Sequence, residues 1–281
     1  MAQIIGGVTT SHVPAIGRAI AQQLQNEPYW RPFFEGYAPV HRWLAEARPD
    51  VVVVLYNDHG LNFFLDKMPT FAVGAAAQYS NADEGWGIPQ VPAFTGAPDL
   101  SWHLIESLTA EDFDLTTCQE MLVDHAFTLP MALLWPDPPW PVKVVPVCIN
   151  TVQFPLPSAR RCYALGEAIG RAVRSWPGDE RVMILGTGGL SHQLDGERAG
   201  FINKDFDLQF MESLVHDPRW ATQYSIHELV EKAGTQGVEL LMWLATRAAL
   251  GERVTRVHQN YHIPISNTAS GLMVMAPLTG S

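Results

Sequence analysis

Three histidines stand where apolar runs stop. Val51 to Tyr56 gives way to Asn57-Asp58-His59-Gly60, Ile4 to Val8 to Thr9-Thr10-Ser11-His12, and Arg181 to Leu185 to Gly186-Thr187-Gly188-Gly189-Leu190-Ser191-His192. Each run reads as a strand covered on both faces, because β-branched and other apolar side chains suit a buried pleated surface. In open α/β sheets, ligands bind in the crevice beyond the carboxyl ends of the strands. One histidine at such an end is ordinary; three at corresponding ends point to a site.

A fourth candidate is Glu239, in Gly237-Val238-Glu239-Leu240-Leu241-Met242-Trp243, whose apolar neighbours predict burial. A buried, unpaired carboxylate costs several kcal/mol. Either a metal ion or an arginine such as Arg247 would remove that penalty. Two neutral imidazoles and one carboxylate, with positions left open, form the facial triad that suits non-haem Fe(II) in oxygen chemistry. The same donor set holds zinc in many hydrolases, although no H-E-x-x-H helix occurs here. His125 joins the candidates because Asp124 beside it could orient or charge its imidazole. His41, His103, His216, His227 and His258 lie within helical or strand patterns and read as solvated or structural. Gly186 to Ser191 is a poor phosphate loop: Ser191 replaces the third glycine of G-x-G-x-x-G, and no GK[ST] follows.

Strands and helices alternate around these residues. Pro14 suits a first helical position, and an amphipathic segment closes at Arg42-Trp43-Leu44. Short strands are expected over 70–74 and 114–118, helices over 100–108 and 123–134, and a strand over 142–148. Leu165, Ile169, Ala172 and Val173 mark one face of a helix over 158–176. Helices over 205–215 and 237–250 and late strands over 254–258 and 271–275 complete the pattern. The stretch from Tyr79 to Pro98 is irregular, punctuated by glycine and proline, and reads as a functional or interaction loop. The alternation predicts an α/β layered domain, a central mixed sheet flanked by helices, as one unit over residues 1–281.

Composition narrows the function classes. A formal charge of −11 argues against nucleic acid or an anionic membrane as partner, and a small anionic substrate would need a local positive group. No apolar run is long enough to span a bilayer, and the N-terminus shows no signal-peptide pattern. Three widely spaced cysteines, Cys118, Cys148 and Cys162, fit reduced thiols and a cytoplasmic setting.

Several segments together resemble the catalytic chain of the class III extradiol ring-cleavage dioxygenases, the group of the protocatechuate 4,5-dioxygenase β chain and gallate dioxygenase. They are Thr10-Ser11-His12-Val13-Pro14, Tyr56-Asn57-Asp58-His59, Asp83 to Gly87, Val123-Asp124-His125, Gly186 to Leu194, Arg198 to Lys204, Gly237-Val238-Glu239 and Tyr261 to Thr268. The resemblance implies that His12, His59 and Glu239 ligate Fe(II) and that His192 is the acid/base. It also implies that His125 is a second pocket histidine, and that Ser266 and Asn267 lie near the substrate carboxylate. The implied reaction inserts both atoms of O₂ into a catecholic acid and opens the ring. Thr117 to Met121, Leu190 to Asp195 and Ala233 to Gly237 look closer to gallate dioxygenases, whereas a chain ending at Ser281 looks more like a separate β chain. The expected partners are the aromatic acid, O₂ and either a small α-type subunit or further copies of this chain. A zinc hydrolase and a non-enzymatic binding module of the same fold are the rival readings.

Overall fold

The computed structural model describes residues 1–85, 87–265 and 267–278. The chain opens with β1 (Gln3–Thr10), followed by α1 (Pro14–Ala21), α2 (Arg31–Glu35), α3 (Ala38–Ala47) and β2 (Val51–Tyr56). Then come β3 (Phe71–Gly74), β4 (Gln78–Asn81), β5 (Phe94–Thr95), α4 (Pro98–Ala110), β6 (Thr116–Cys118), β7 (Leu122–Val123) and α5 (His125–Leu134). The second half holds β8 (Lys143–Ile149), α6 (Ala159–Ser175), β9 (Arg181–Thr187), α7 (Lys204–His216), α8 (Ile226–Ala233), α9 (Leu240–Ala249), β10 (Val254–Ile265) and β11 (Thr268–Pro277).

The main sheet has the order β10-β11-β1-β9-β2-β8-β3-β6. Its centre, β1-β9-β2-β8, is parallel, while β11 and β3 run antiparallel to their inner neighbours. The expected mixed sheet flanked by helices is therefore the architecture observed. The unbroken valine run has a direct explanation. Val51, Val53 and Leu55 face a core shared with α4, α6 and α9, whereas Val52, Val54 and Tyr56 face one shared with α1, α3 and α5. Successive side chains of a strand point to opposite faces, so a strand covered on both sides needs apolar residues at every position.

Three differences from the sequence reading have physical causes. The last two strands reach further than 254–258 and 271–275 because β10 and β11 pair as a long antiparallel hairpin, each supplying the other's backbone partners. The irregular stretch holds β4 and β5, which join β7 in a small separate sheet. The short helices α2 and α8 are extra. For α8 a signal exists in the sequence, since Ser225 and Glu228 form a reciprocal capping box at its start.

β1, β9 and β2 are adjacent and parallel, so their carboxyl ends open on one edge of the sheet. Three of the candidate histidines are delivered there.

Candidate metal and acid/base site

Both imidazoles expected to bind metal aim at one carboxylate oxygen. His12 Nε2 lies 3.3 Å and His59 Nε2 3.7 Å from Glu239 Oε1. Glu239 sits at the junction of a short 3₁₀ turn with α9 and is buried. Its other oxygen, Oε2, accepts the backbone N–H of Gly189 at 2.8 Å, and Asn57 donates to Oε1 at 3.3 Å. Arg247 does not pair with it: that guanidinium is buried too, and donates to the carbonyls of Leu214, Gly251 and Glu252.

The far side of each imidazole is fixed. His12 Nδ1 meets the hydroxyl of Thr187, at the end of β9, at 3.2 Å. His59 Nδ1 meets Asp124 Oδ2 at 2.9 Å, and the same oxygen accepts the His59 backbone N–H at 2.8 Å. Asp124 is also the N-cap of α5 through the N–H of Ala126. It therefore holds His59, not its chain neighbour His125. His125 instead meets Glu84, which takes its ring Nδ1 at 2.6 Å and its backbone N–H at 2.7 Å. His59 and His125 stack with centroids 4.2 Å apart, and His12 stands edge-on to each at 5.3 Å.

Electrostatics favour a cation here. Burial would raise the Glu239 carboxyl, but His12 and His59 hold it well below the usual range. Burial would lower His59, yet Asp124 and Glu239 push it up to about 10, so without metal this ring carries a proton between two carboxylates. For His125, burial and neighbouring His59 win over Glu84, and its pKa is lowered. A divalent ion can replace the His59 proton and meet Glu239 directly, with both Nδ1 atoms already engaged, as metal-bound imidazoles require. Candidate donor atoms of His12, His59 and His125 also lie within 4.8 Å of one another. The residues present thus fit a metal ion.

His192 approaches from the loop after β9. Its Nδ1 lies 2.8 Å from the Leu190 carbonyl, which makes Nδ1 the protonated nitrogen and leaves Nε2 as the acceptor. The loop is pinned behind it. Asp207 takes the hydroxyl of Ser191 at 2.6 Å, the Ser191 N–H at 2.9 Å and the hydroxyl of Tyr261 at 2.7 Å. Two glycines permit the crowding. A Cβ on Gly188, at φ +102°, would stand 2.7 Å from Glu239 Cβ, and one on Gly234, at φ +92°, 2.1 Å from the His192 carbonyl oxygen.

One cavity of about 250 Å³ is lined by His12, His59, His125, His192 and Glu239 together. Thr268 lines it too and bridges to His192, whereas Asn267 is exposed in the β10–β11 turn at φ 61° and is not among the lining residues. Ser266 lies outside the described residues. Arg18 and Gln236, not singled out from sequence, also line the cavity. A wider apolar groove of about 470 Å³ lies near α1 and α5, and its one histidine, His41, is bound to the Leu133 carbonyl. His103 and His258 likewise contact backbone carbonyls, of Ala172 and Gly36. Cys118, Cys148 and Cys162 are free thiols, and among the described residues no helix is long and apolar enough to cross a membrane.

Comparison with known proteins gives the same direction. Gallate dioxygenase of Pseudomonas putida is 43% identical over 184 residues, covering 65% of this chain and 54% of that protein. A 2,3-dihydroxyphenylpropionate/2,3-dihydroxicinnamic acid 1,2-dioxygenase of Azotobacter vinelandii is 31% identical over 277 residues, covering 81% and 85%. Over the first of these, as over several further relatives, the chain spans about half the length of the protein it matches. The crystal structure of an uncharacterized protein from Escherichia coli K12 shares the fold at 14% identity, with a TM-score of 0.58 over 96% of this chain and 99% of that one. Residues 6–271 match the profile described as the catalytic LigB subunit of aromatic ring-opening dioxygenase, and the chain belongs to that family, the class III extradiol dioxygenases.

Proposed function

We propose that this chain, as a single catalytic domain over 1–281, is a non-haem Fe(II) extradiol dioxygenase that inserts both atoms of O₂ into a single-ring catecholic acid, protocatechuate or gallate. The reading rests above all on the convergence of His12 and His59 Nε2 on one oxygen of Glu239, at 3.3 and 3.7 Å, in a chain of this family. His12, His59 and Glu239 would hold the ion. Bound Fe(II) supplies Lewis acidity toward the phenols and the redox chemistry that O₂ requires.

The remaining steps belong to side chains. His192 Nε2 takes the second phenolic proton and returns it later in the reaction, its tautomer set by the Leu190 carbonyl. His125, whose pKa burial lowers, presents its ring to the substrate. Walls from β1, β9 and β2 place both reactants together, which removes much of the entropic barrier. The family resemblance assigns Ser266, outside the described residues, and Asn267 to the neighbourhood of the substrate carboxylate. A small α-type subunit or further copies of this chain would complete the assembly, and size-exclusion with and without a co-expressed neighbour tests that part.

The decisive test is iron analysis combined with O₂ uptake on protocatechuate, gallate and 3-O-methylgallate. Equimolar O₂ consumption with both ¹⁸O atoms in a ring-opened product is expected. A zinc-containing protein that hydrolyses substrate anaerobically would overturn the reading. The long match to the Azotobacter vinelandii relative makes 2,3-dihydroxyphenylpropionate the second substrate to try.

A further inference from the structure

The cavity that gathers the four histidines also receives one strong cation. Among the described residues that line it, Arg18 is the only lysine or arginine. Its side chain is exposed and, among the described residues, takes part in no ion pair or hydrogen bond. It lies one turn of α1 beyond Pro14, which with Ala15 lines the same cavity, and Pro14 is two residues from His12. One helical turn is about 5.4 Å, comparable to the breadth of a benzene ring. A ring held at His12, His59 and Glu239 thus shares one cavity with a guanidinium one turn along α1.

The charge balance gives that position a purpose. Glu239 lines the cavity, and Asp124 and Glu84 stand directly behind two of its histidines. The chain as a whole carries −11. A second anionic group on the substrate meets this acidic surrounding unless a cation offsets it. The neutral amide of Asn267, outside the lining, cannot do so. A guanidinium can, and its planar fork matches a carboxylate in two parallel hydrogen bonds.

We propose that Arg18 is a specificity-determining residue that engages the carboxylate of the substrate and selects single-ring catechols bearing an acid group over uncharged catechol. The assignment builds on the functional reading above but concerns affinity, not turnover. Anaerobic calorimetric titration of the iron-loaded protein with protocatechuate and with catechol, in wild type, Arg18→Gln and Arg18→Lys, tests it; O₂ uptake on both compounds runs alongside. Arg18→Gln should weaken protocatechuate binding by about 10-fold or more, the range of a charge-assisted hydrogen bond, and leave catechol unchanged. Arg18→Lys should restore part of the loss. Equal weakening of both ligands, or of neither, overturns the assignment even if both proteins open rings. If no catechol is oxidised yet the Arg18-dependent preference for the acid persists, the functional reading fails and this assignment stands.

Discussion

Asp124 accepts two hydrogen bonds from His59, the backbone N–H at 2.8 Å and the ring Nδ1 at 2.9 Å. One carboxylate thereby fixes both where the ring stands and which nitrogen faces Glu239. Substituting such a partner typically costs about 10–100-fold in metal affinity. Asp124→Asn should show that loss in competition with a chelator, and because asparagine also caps helices, α5 should survive. Unchanged affinity would show that His59 needs no such support.

Among the described residues His192 makes no hydrogen bond or ion pair with His12, His59 or Glu239, and its Nδ1 is committed to the Leu190 carbonyl. His192→Phe is expected to keep stoichiometric iron and lose turnover by roughly 10²–10⁴-fold, the usual contribution of a positioned acid/base. Metal analysis and steady-state O₂ uptake on the same preparation check both halves. Near-normal turnover would remove His192 from proton transfer.

At Gly188 a methyl group would meet Glu239 Cβ at 2.7 Å and Oε2 at 2.9 Å, on a backbone with φ +102°. Gly188→Ala should cost about 1–3 kcal/mol of backbone strain and push the carboxylate away from the imidazoles. Urea unfolding and metal titration should both report it. A variant with normal stability and metal binding would mean the loop can yield more than its packing implies.

Asp207 gives a pH signature. Burial raises its carboxyl from 3.8 to about 6, in spite of hydrogen bonds from Ser191 and Tyr261. The folded protein thus holds this proton more tightly than the unfolded chain. The stability it contributes is fully present below 3.8 and is lost as pH rises through about 6. Asp207→Asn replaces the titrating carboxyl with a neutral amide. Between about pH 4 and about pH 7 the stability difference should move in favour of the variant by up to about 3 kcal/mol. Urea midpoints of both metal-free proteins across that range measure it; parallel curves would contradict the raised pKa.

Much of this arrangement is legible in the sequence because it is local. An apolar run that stops at a histidine marks a strand end, and the apolar neighbours of Glu239 mark its burial; both appear in the structure. Partnerships across the chain are not legible in the same way. Adjacency offers Asp124 as the companion of His125, but the first turn of α5 sends the two side chains to different neighbours, and Glu84 arrives from 41 residues away. Arg247 sits eight positions from Glu239, about two turns away, and spends its donors on the Leu214 carbonyl of α7 and on the Gly251 and Glu252 carbonyls just after α9. Arg18 has no local mark as a cavity residue, since only the path of α1 after β1 brings it to the opening.

β9, which carries the loop of His192, runs between β1 and β2, which lead to His12 and His59. Hydrogen-bonded strands keep a spacing of about 4.8 Å, so the reacting groups inherit their separation from the backbone ladder rather than from adjustable side chains. The rest of the cavity is lined by other material, including Pro14, Ala15 and Arg18 of α1 and Thr268 at the start of β11. Substitutions at that doorway can therefore change the shape and charge of the cavity while the histidines behind it stay where the sheet put them.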